Sequence, residues 1–489
     1  MTTTAPDTSP ERPRALDADE GPRKACPTCH HLIPASRGRC EHCLSDVRAV
    51  LALSPEEDAR IRALPPQTVR RRLPRFRHIA LATFVLLIAG LSGWRYAVTR
   101  PAPPVPVASS TERVAAVSAT RWDGANGDYR ASRSTAALTP WTAPAAWQFT
   151  TEVRLIGGIV ADEERVYVAR EDNRVVAIDQ RDGREAWSYE APIPVGAGPT
   201  LAGDRLYQPL RNGHLVALDA KNGAVIWERP AEVGRMFFAP VIVADGTVFG
   251  YTTGAVFAWD AETGDQLWNS LTLSEWATVP PAVSDKWIVV TGFNQVEVFS
   301  RANGAHTYNY AHRAAGGVIL TADRIFSASP NFTTAVDPAS QLPWWEGIRG
   351  LLNQLWIMNA APAPPPPPAI WVASHTVPRG GSTFTVDAYA PAFASGLVIT
   401  TRNDGAVIAI DAETGKRRWE AKAPGAAGAA LATGELILVP TKTGLLAFDR
   451  ATGAERGSRP LANSGKISLA ATARALYVLD PAGTVTALR

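Results

Sequence analysis

The chain has no cysteine after Cys43; its four cysteines all fall between residues 26 and 43 of 489. No disulfide can brace anything beyond that point, so whatever folds there is held by burial and hydrogen bonding. Charge is sparse at 19% Asp, Glu, Lys and Arg, and the formal net charge is only +3. Residues 101–489 carry 33 basic against 36 acidic side chains, a balance that does not indicate a basic nucleic-acid surface there. Long apolar runs are missing too, with one exception at residues 79–94, IALATFVLLIAGLSGW.

That exception has the flanks of a membrane span. RRRLPRFRH precedes it, and Trp94 and Tyr96 stand at its far end as an interfacial aromatic pair. If Arg95 snorkels, the run extends to Thr99, about 21 residues and just enough to cross a bilayer. We expect a transmembrane helix over 79–99, with the arginine-rich side in the cytoplasm and everything after residue 100 outside. An apolar run that begins only after residue 78 is not a cleaved signal peptide. Residues 1–20 are expected to be disordered, 51–78 to form a basic juxtamembrane segment, and 100–120, with RPAPPVPVASST, to form a stiff proline-rich linker.

The cysteines are arranged as CPTCHHLIPASRGRCEHC. Two CxxC knuckles, Cys26/Cys29 and Cys40/Cys43, suit four thiolates on one tetrahedral zinc ion, and so small a module needs the metal to fold. A redox dithiol is the other chemistry this spacing permits. His30, His31 and His42 are read as bystanders, since four sulfurs complete the shell. The segment 21–50 resembles the minimal zinc ribbons at the start of many bacterial membrane proteins.

After residue 120 one pattern recurs. In GHLVALDAKNGAVIWERP (213–230) the reference residue is Asp219, and its counterparts are Asp179, Asp260, Ser300, Asp337, Asp411, Asp449 and Arg489. Successive positions lie 40, 41, 40, 37, 74, 38 and 40 residues apart, eight copies at a propeller period. Alanine stands two places before the reference in seven copies: Ala177, Ala217, Ala258, Ala335, Ala409, Ala447 and Ala487. Glycine stands four places after it at Gly183, Gly223, Gly264, Gly304, Gly415 and Gly453, where a tight turn capped by the aspartate is expected. Eight places after it comes a ring: Trp187, Trp227, Trp268, Tyr308, Trp345 and Trp419. Between turns both strand faces are apolar, as in Leu215 to Leu218, so each strand is covered on two sides. The recurrent alanine is expected to seat that ring against the next sheet, and four such strands per period, stapled sideways by rings, make a blade.

This A-x-D-x-x-x-G-x-x-x-W repeat resembles that of the pyrroloquinoline-quinone-type β-propellers. The resemblance covers about residues 121–489 and implies an all-β, eight-bladed PQQ-like propeller, here preceded by a zinc ribbon and one transmembrane helix. WDGANGDYRASR, Trp122 to Arg133, resembles the segment with which family members enter their first blade. The eighth copy ends at Arg489, so the N-terminal part of the domain is expected to supply its fourth strand.

The family holds quinone- and calcium-dependent dehydrogenases of alcohols and sugars as well as a non-enzymatic lipoprotein of the outer-membrane β-barrel assembly machinery. Many of the enzymes stack a vicinal disulfide on the quinone, which this chain lacks the cysteines to make, and no stretch matches their Glu, Asn and Asp calcium cluster. The reference aspartates and the tryptophans recur with the blades and are read as structural. We therefore expect no catalytic residues, no PQQ, one structural zinc on Cys26, Cys29, Cys40 and Cys43, and a membrane-anchored envelope scaffold for protein partners. Those partners are envelope or membrane proteins for the propeller and a cytoplasmic protein for the ribbon. A PQQ/calcium dehydrogenase of alcohols or sugars is the alternative. The spacing of 74 is read as an insertion at about 346–388; WWEGIRGLLNQLWIM at its start places Trp345, Ile348, Leu351, Leu352, Leu355 and Trp356 near one helix face, and APAPPPPPA follows.

Overall fold

Each copy of the repeat becomes one four-stranded antiparallel sheet, and there are eight of them among the described residues. The computed structural model describes residues 21–28, 32–41, 43–63, 82–93, 120–136, 140–230, 235–272, 278–292, 295–311, 316–339, 355, 358, 369–375, 386–461 and 467–489. The chain divides into two units, Met1–Ala97 and Val98–Arg489.

Blade 2 shows how the sequence builds a sheet. Its strands are Thr200–Ala202, Arg205–Pro209, His214–Asp219 and Val225–Pro230, from the inner strand to the outer. Leu215 to Leu218 are fully buried on both faces, as their unbroken apolar run demands. Asp219 ends the third strand, and its Oδ1 accepts the backbone N–H groups of Lys221 and Asn222 at 2.7 and 3.1 Å. Gly223 closes the hairpin at φ 75°, a conformation that side chains with a Cβ resist. Asp260, Asp411 and Asp449 cap their turns through the same two bonds. The recurrent aspartates are thus turn caps in the structure.

The rings join neighbouring blades. Trp187 of blade 1 lies cross-strand from Ala177 in its own sheet, and its Nε1 donates to Ala220 O of blade 2 at 3.1 Å. Its seat on the next blade is the turn glycine: a Cβ at Gly183, Gly223, Gly264, Gly415 or Gly453 would fall 2.6–2.8 Å from the ring of Trp147, Trp187, Trp227, Trp371 or Trp419. The small alanine therefore makes room within the blade and the glycine makes room across the seam. A bulge immediately after the alanine, as between Ala177 and Ile178, sets the ring's position in the outer strand.

Blade 5 departs from the expected register. Its outer strand is Ala369–Ser374, which the periodicity placed inside the insertion, and Trp371 pairs with Ala335 and donates to Ala412 O at 3.0 Å. The ring assigned to Trp345 is therefore Trp371. The extra residues interrupt the hairpin between the third and outer strands instead of following the blade. Residues 340–354, which include Trp345, and the polyproline run lie outside the described residues; so does the predicted insertion helix, apart from Leu355 and Met358.

Ring closure follows the expectation. Ala145–Thr150 pairs with Thr484–Leu488 to complete blade 8, and Trp147 lies opposite Ala487 with its Nε1 on Gln180 O at 2.7 Å. Blade 7 has Gly457 where the other blades carry a ring: the third and outer strands of blade 8, Thr484–Leu488 and Ala145–Thr150, come from separate stretches of chain, so no glycine turn joins them to receive one. Trp141 of the N-terminal segment takes that place, its ring 3.3 Å from where a Gly457 Cβ would stand.

Before reaching blade 8 the N-terminal segment crosses the axis. Trp122 exchanges two backbone bonds with Ala161 of blade 1, and the N–H groups of Leu201, Val283, Leu320, Phe393 and Ala432 donate to the carbonyls of Asp123, Tyr129, Arg130, Ser132 and Arg133. These are inner-strand residues of blades 2, 4, 5, 6 and 7. They sit near the ends of those strands that lead into the first hairpin turn. The third-to-outer turns are at the same end, as Ala220 N donating to Asp204 O at 2.9 Å shows in blade 2. We call this the hairpin end, and the opposite one, with the blade-to-blade connections, the loop end.

In the N-terminal unit, Arg23–Ala25 pairs with Leu32–Pro34, and Ser54 caps the helix Pro55–Ala63 in a capping box with Glu57. Of the expected span 79–99, residues 82–93 are helical, with exposed Phe84, Leu86 and Leu91. The remainder of the span lies outside the described residues. Among the described residues no helix is long and apolar enough to cross a membrane.

Candidate functional site

The cysteines come together. Cys26 follows the first hairpin strand, while Cys40 and Cys43 flank a turn in which Leu44 N donates back to Cys40 O at 2.9 Å and Leu44 takes φ 58°. The Sγ atoms of Cys26, Cys40 and Cys43 all lie within 4.8 Å of one another, and Cys26 and Cys43 are 3.5 Å apart. Sulfurs on a tetrahedron with ~2.3 Å bonds to zinc would be about 3.8 Å apart, so this donor set fits a zinc ion. Cys29, His30, His31 and His42 lie outside the described residues. Apart from the cysteines, the core of this module among the described residues is Ile33 and Val47, with Val50 packed against it.

A calcium and quinone group at the propeller's loop end would need oxygen ligands there, carboxylates above all. Among the described residues the blade-to-blade connections contribute the carboxylates Glu152 and Asp387, and the second-to-third strand turns at the same end contribute Glu171, Asp172, Asp404 and Asp480. The rest of these connections is dominated by Gly, Ala, Pro and Val, and they press backbone on backbone: a Cβ at Gly157 would be 2.5 Å from Gly198 N, and one at Gly428 2.5 Å from Ile467 O. Among the described residues these carboxylates belong to blades 1, 6 and 8, and Asp172 and Asp404 are engaged by Arg170 and Arg402.

The polar feature that sequence reasoning missed is a seam between blades 5 and 6. His375 Nε2 is 2.8 Å from Thr333 Oγ1, which is 2.9 Å from Thr400 Oγ1, and both threonines are fully buried. Arg402, 2% exposed, donates to Pro330 O at 3.0 Å and pairs with Asp404. No motif marks this cluster, because its members come from two blades and from the residue that follows a displaced outer strand. Burial, then the Arg402 and Arg417 guanidinium groups, push the His375 imidazole down to about 4, with Glu420 opposing. In the unfolded chain it titrates near 6.5. The unfolded state therefore takes up the proton first, and stability is full above pH ~6.5 and falls as pH drops toward 4. After a discount for the part-exposed ring, the loss should be about 1–2 kcal/mol. Chemical denaturation of the wild type and His375→Gln at pH 7.5 and 4.5 checks this. The wild type should lose more between the two pH values, and equal losses would refute the assignment.

A family model described as outer membrane protein assembly factor BamB matches residues 90–236, 231–329 and 353–489. The chain belongs to this family. Its third matched stretch begins at residue 353, ahead of the displaced strand with Trp371. No curated protein matches the chain in sequence. Among solved structures it is similar to BamB from Moraxella catarrhalis at 19% identity and TM-score 0.52, over 71% of this chain and 97% of that one. It is as similar to the quinohemoprotein alcohol dehydrogenase ADHIIG from Pseudomonas putida HK5, at 14% identity and TM-score 0.54 over 74% and 75% of the two chains. The computationally designed Ika8 protein gives 13% identity and TM-score 0.55 over 70% and 99%. Likeness of this degree, shared with a designed protein, establishes the propeller fold and leaves activity to be argued from this chain's residues.

Proposed function

We propose that this is a single-pass protein of the bacterial cytoplasmic membrane whose external propeller is a non-catalytic scaffold for envelope or membrane proteins. The observation that carries this reading is where the chemically capable side chains go. The recurrent aspartates cap turns, the tryptophans fill seams, the described blade-to-blade connections offer Glu152 and Asp387, and in the neighbouring turns Asp172 and Asp404 are paired with Arg170 and Arg402. Membership of a family named for an assembly factor supports the same reading. Residues 79–99 form the anchor, the arginines before Ile79 keep the zinc ribbon in the cytoplasm, and the ribbon meets a partner there.

The insertion belongs to this reading. Its roots, Asp337 to Ala339 and Ala369, are at the hairpin end of blade 5. The chain enters the propeller at that same end, where Arg121 Nη1 donates to Gly203 O of the first hairpin turn of blade 2 at 3.0 Å. In this reading the Trp- and Leu-rich stretch of the insertion, residues 345–356, docks a partner of the propeller.

A dehydrogenase of alcohols or sugars is the second reading, favoured by the fold shared with ADHIIG. Two arms of one study separate them. In intact cells an impermeant cross-linker should join the full chain to the same envelope protein in repeated captures. Polar replacements of Ile348, Leu351, Leu355 and Trp356 should abolish that product without lowering the propeller's melting temperature. The purified full chain given pyrroloquinoline quinone and calcium should show no saturable binding. Stoichiometric quinone binding with substrate-dependent dye reduction would replace the scaffold by the enzyme, and failure of an impermeant reagent to reach the propeller would overturn the topology.

A further inference from the structure

The inner strand of a propeller blade has one edge facing the axis, and its N–H and C=O groups there have no strand partner. In this chain fifteen residues of its own, 121–135, take that place. Going round the ring, they bond to the inner strands of blades 1, 2, 4, 5, 6 and 7 at 2.8–3.1 Å, and Gly124 lies against Ile242 of blade 3. Few segments of this length touch so many sequence-distant elements.

The segment is also built to hold a single shape. Ser132 N donates to Asp128 Oδ1 at 2.7 Å, Arg133 N to Asn126 O at 2.9 Å, and Gly127 N to Gly124 O at 2.9 Å. Arg133, 6% exposed, donates from Nη1 to Asn126 Oδ1 at 2.9 Å and from Nε to Ala430 O of blade 7 at 3.1 Å. Ala131 and Arg133 both sit at positive φ, 59° and 47°, a strain that residues with a Cβ bear only where the surroundings over-determine them. Trp122, fully buried, packs among residues of blades 7, 8 and 1, across the seams where the ring is closed by separate chain segments.

We infer that residues 121–135 are an axial latch, which binds the blades to one another at the hairpin end and holds the ring closed together with the strand exchange in blade 8. The latch is continuous with the linker that precedes it. A pull on the linker is therefore delivered to the axis and shared among blades, instead of peeling the outer strand Ala145–Thr150 from the rim.

Hydrogen exchange on the full chain tests this, because five of the latch bonds use amides of the blades themselves. The Leu201, Val283, Leu320, Phe393 and Ala432 amides should be protected, and Arg133→Ala should speed exchange at all five together, by about tenfold or more. Arg133 touches only blade 7 and the segment itself, so acceleration confined to Ala432 would overturn the latch and leave a local filler. Should Arg133→Ala fail to fold, a protease site placed between Ala136 and Pro140 gives the second measurement. After cleavage the N-terminal piece should stay with the propeller on gel filtration with the five amides still protected. Its release from a propeller that remains folded would overturn the inference.

Discussion

Replacing Trp371 with alanine should destabilise the propeller by about 3–5 kcal/mol, the range for removing a buried tryptophan. The side chain is 9% exposed, its Nε1 is bonded to Ala412 O, and its ring lies 5.9 Å from that of Phe326 and against Gly415. Removal leaves a cavity in the seam between blades 5 and 6 and takes from Ala412 O one of its two donors, the other being Arg324 Nη1 at 2.6 Å. That seam already holds the polar cluster around His375, so it has less apolar contact to spare. Urea denaturation of Trp371→Ala and Trp345→Ala, each in the full chain, provides the measurement. The midpoint should fall sharply for Trp371 and little for Trp345. A large loss at Trp345 with none at Trp371 would return the ring to the position that the period assigns.

The second large effect concerns the N-terminal module. Structural zinc on thiolates contributes on the order of 10 kcal/mol to the folding of modules of this kind. Among the described residues, Ile33, Val47 and Val50 accompany the cysteines in the core here. Cys40→Ser should therefore abolish stoichiometric zinc in the full chain and expose the remaining thiols, while the propeller's melting is unchanged. In the wild type the four thiols should resist an aromatic disulfide reagent until a chelator is added, and acidification should release the metal as thiolates take up protons. Immediate reaction of all four thiols in protein that contains no zinc would refute the assignment. A thiol pair that instead titrates reversibly with an oxidant would favour the redox dithiol.

The error at Trp345 has a cause visible in retrospect. Four residues after Asp337 stands Gln341, the only such position without glycine among the copies whose hairpin continues in the chain. The missing glycine signalled that the hairpin does not close there, but a tryptophan at the periodic distance outweighed it. Blade 7 offered a second signal of this kind. Its lack of a ring at Gly457 marks the seam where the next blade has no glycine turn to receive one, and Trp141 lies there instead.

By itself the sequence determined the number of blades, the capped turn at each Asp, the ring that staples neighbouring blades and the two CxxC knuckles. The turns and the place of each ring opposite an alanine rest on interactions within a dozen or so residues, and the seam bond from Trp187 to Ala220, which spans 33, recurs with the period. Tertiary structure alone decided which tryptophan serves blade 5, where Trp141 goes, what surrounds His375, and that Trp122 to Arg133 close the axis. Each of these depends on partners far apart in the chain, as in the 297 residues between Arg133 and Ala430 or the 67 between Thr333 and Thr400. Local pattern carries no record of such pairs. They exist because eight sheets close into a ring, and closure brings the two ends of the domain and the edges of distant strands to one axis.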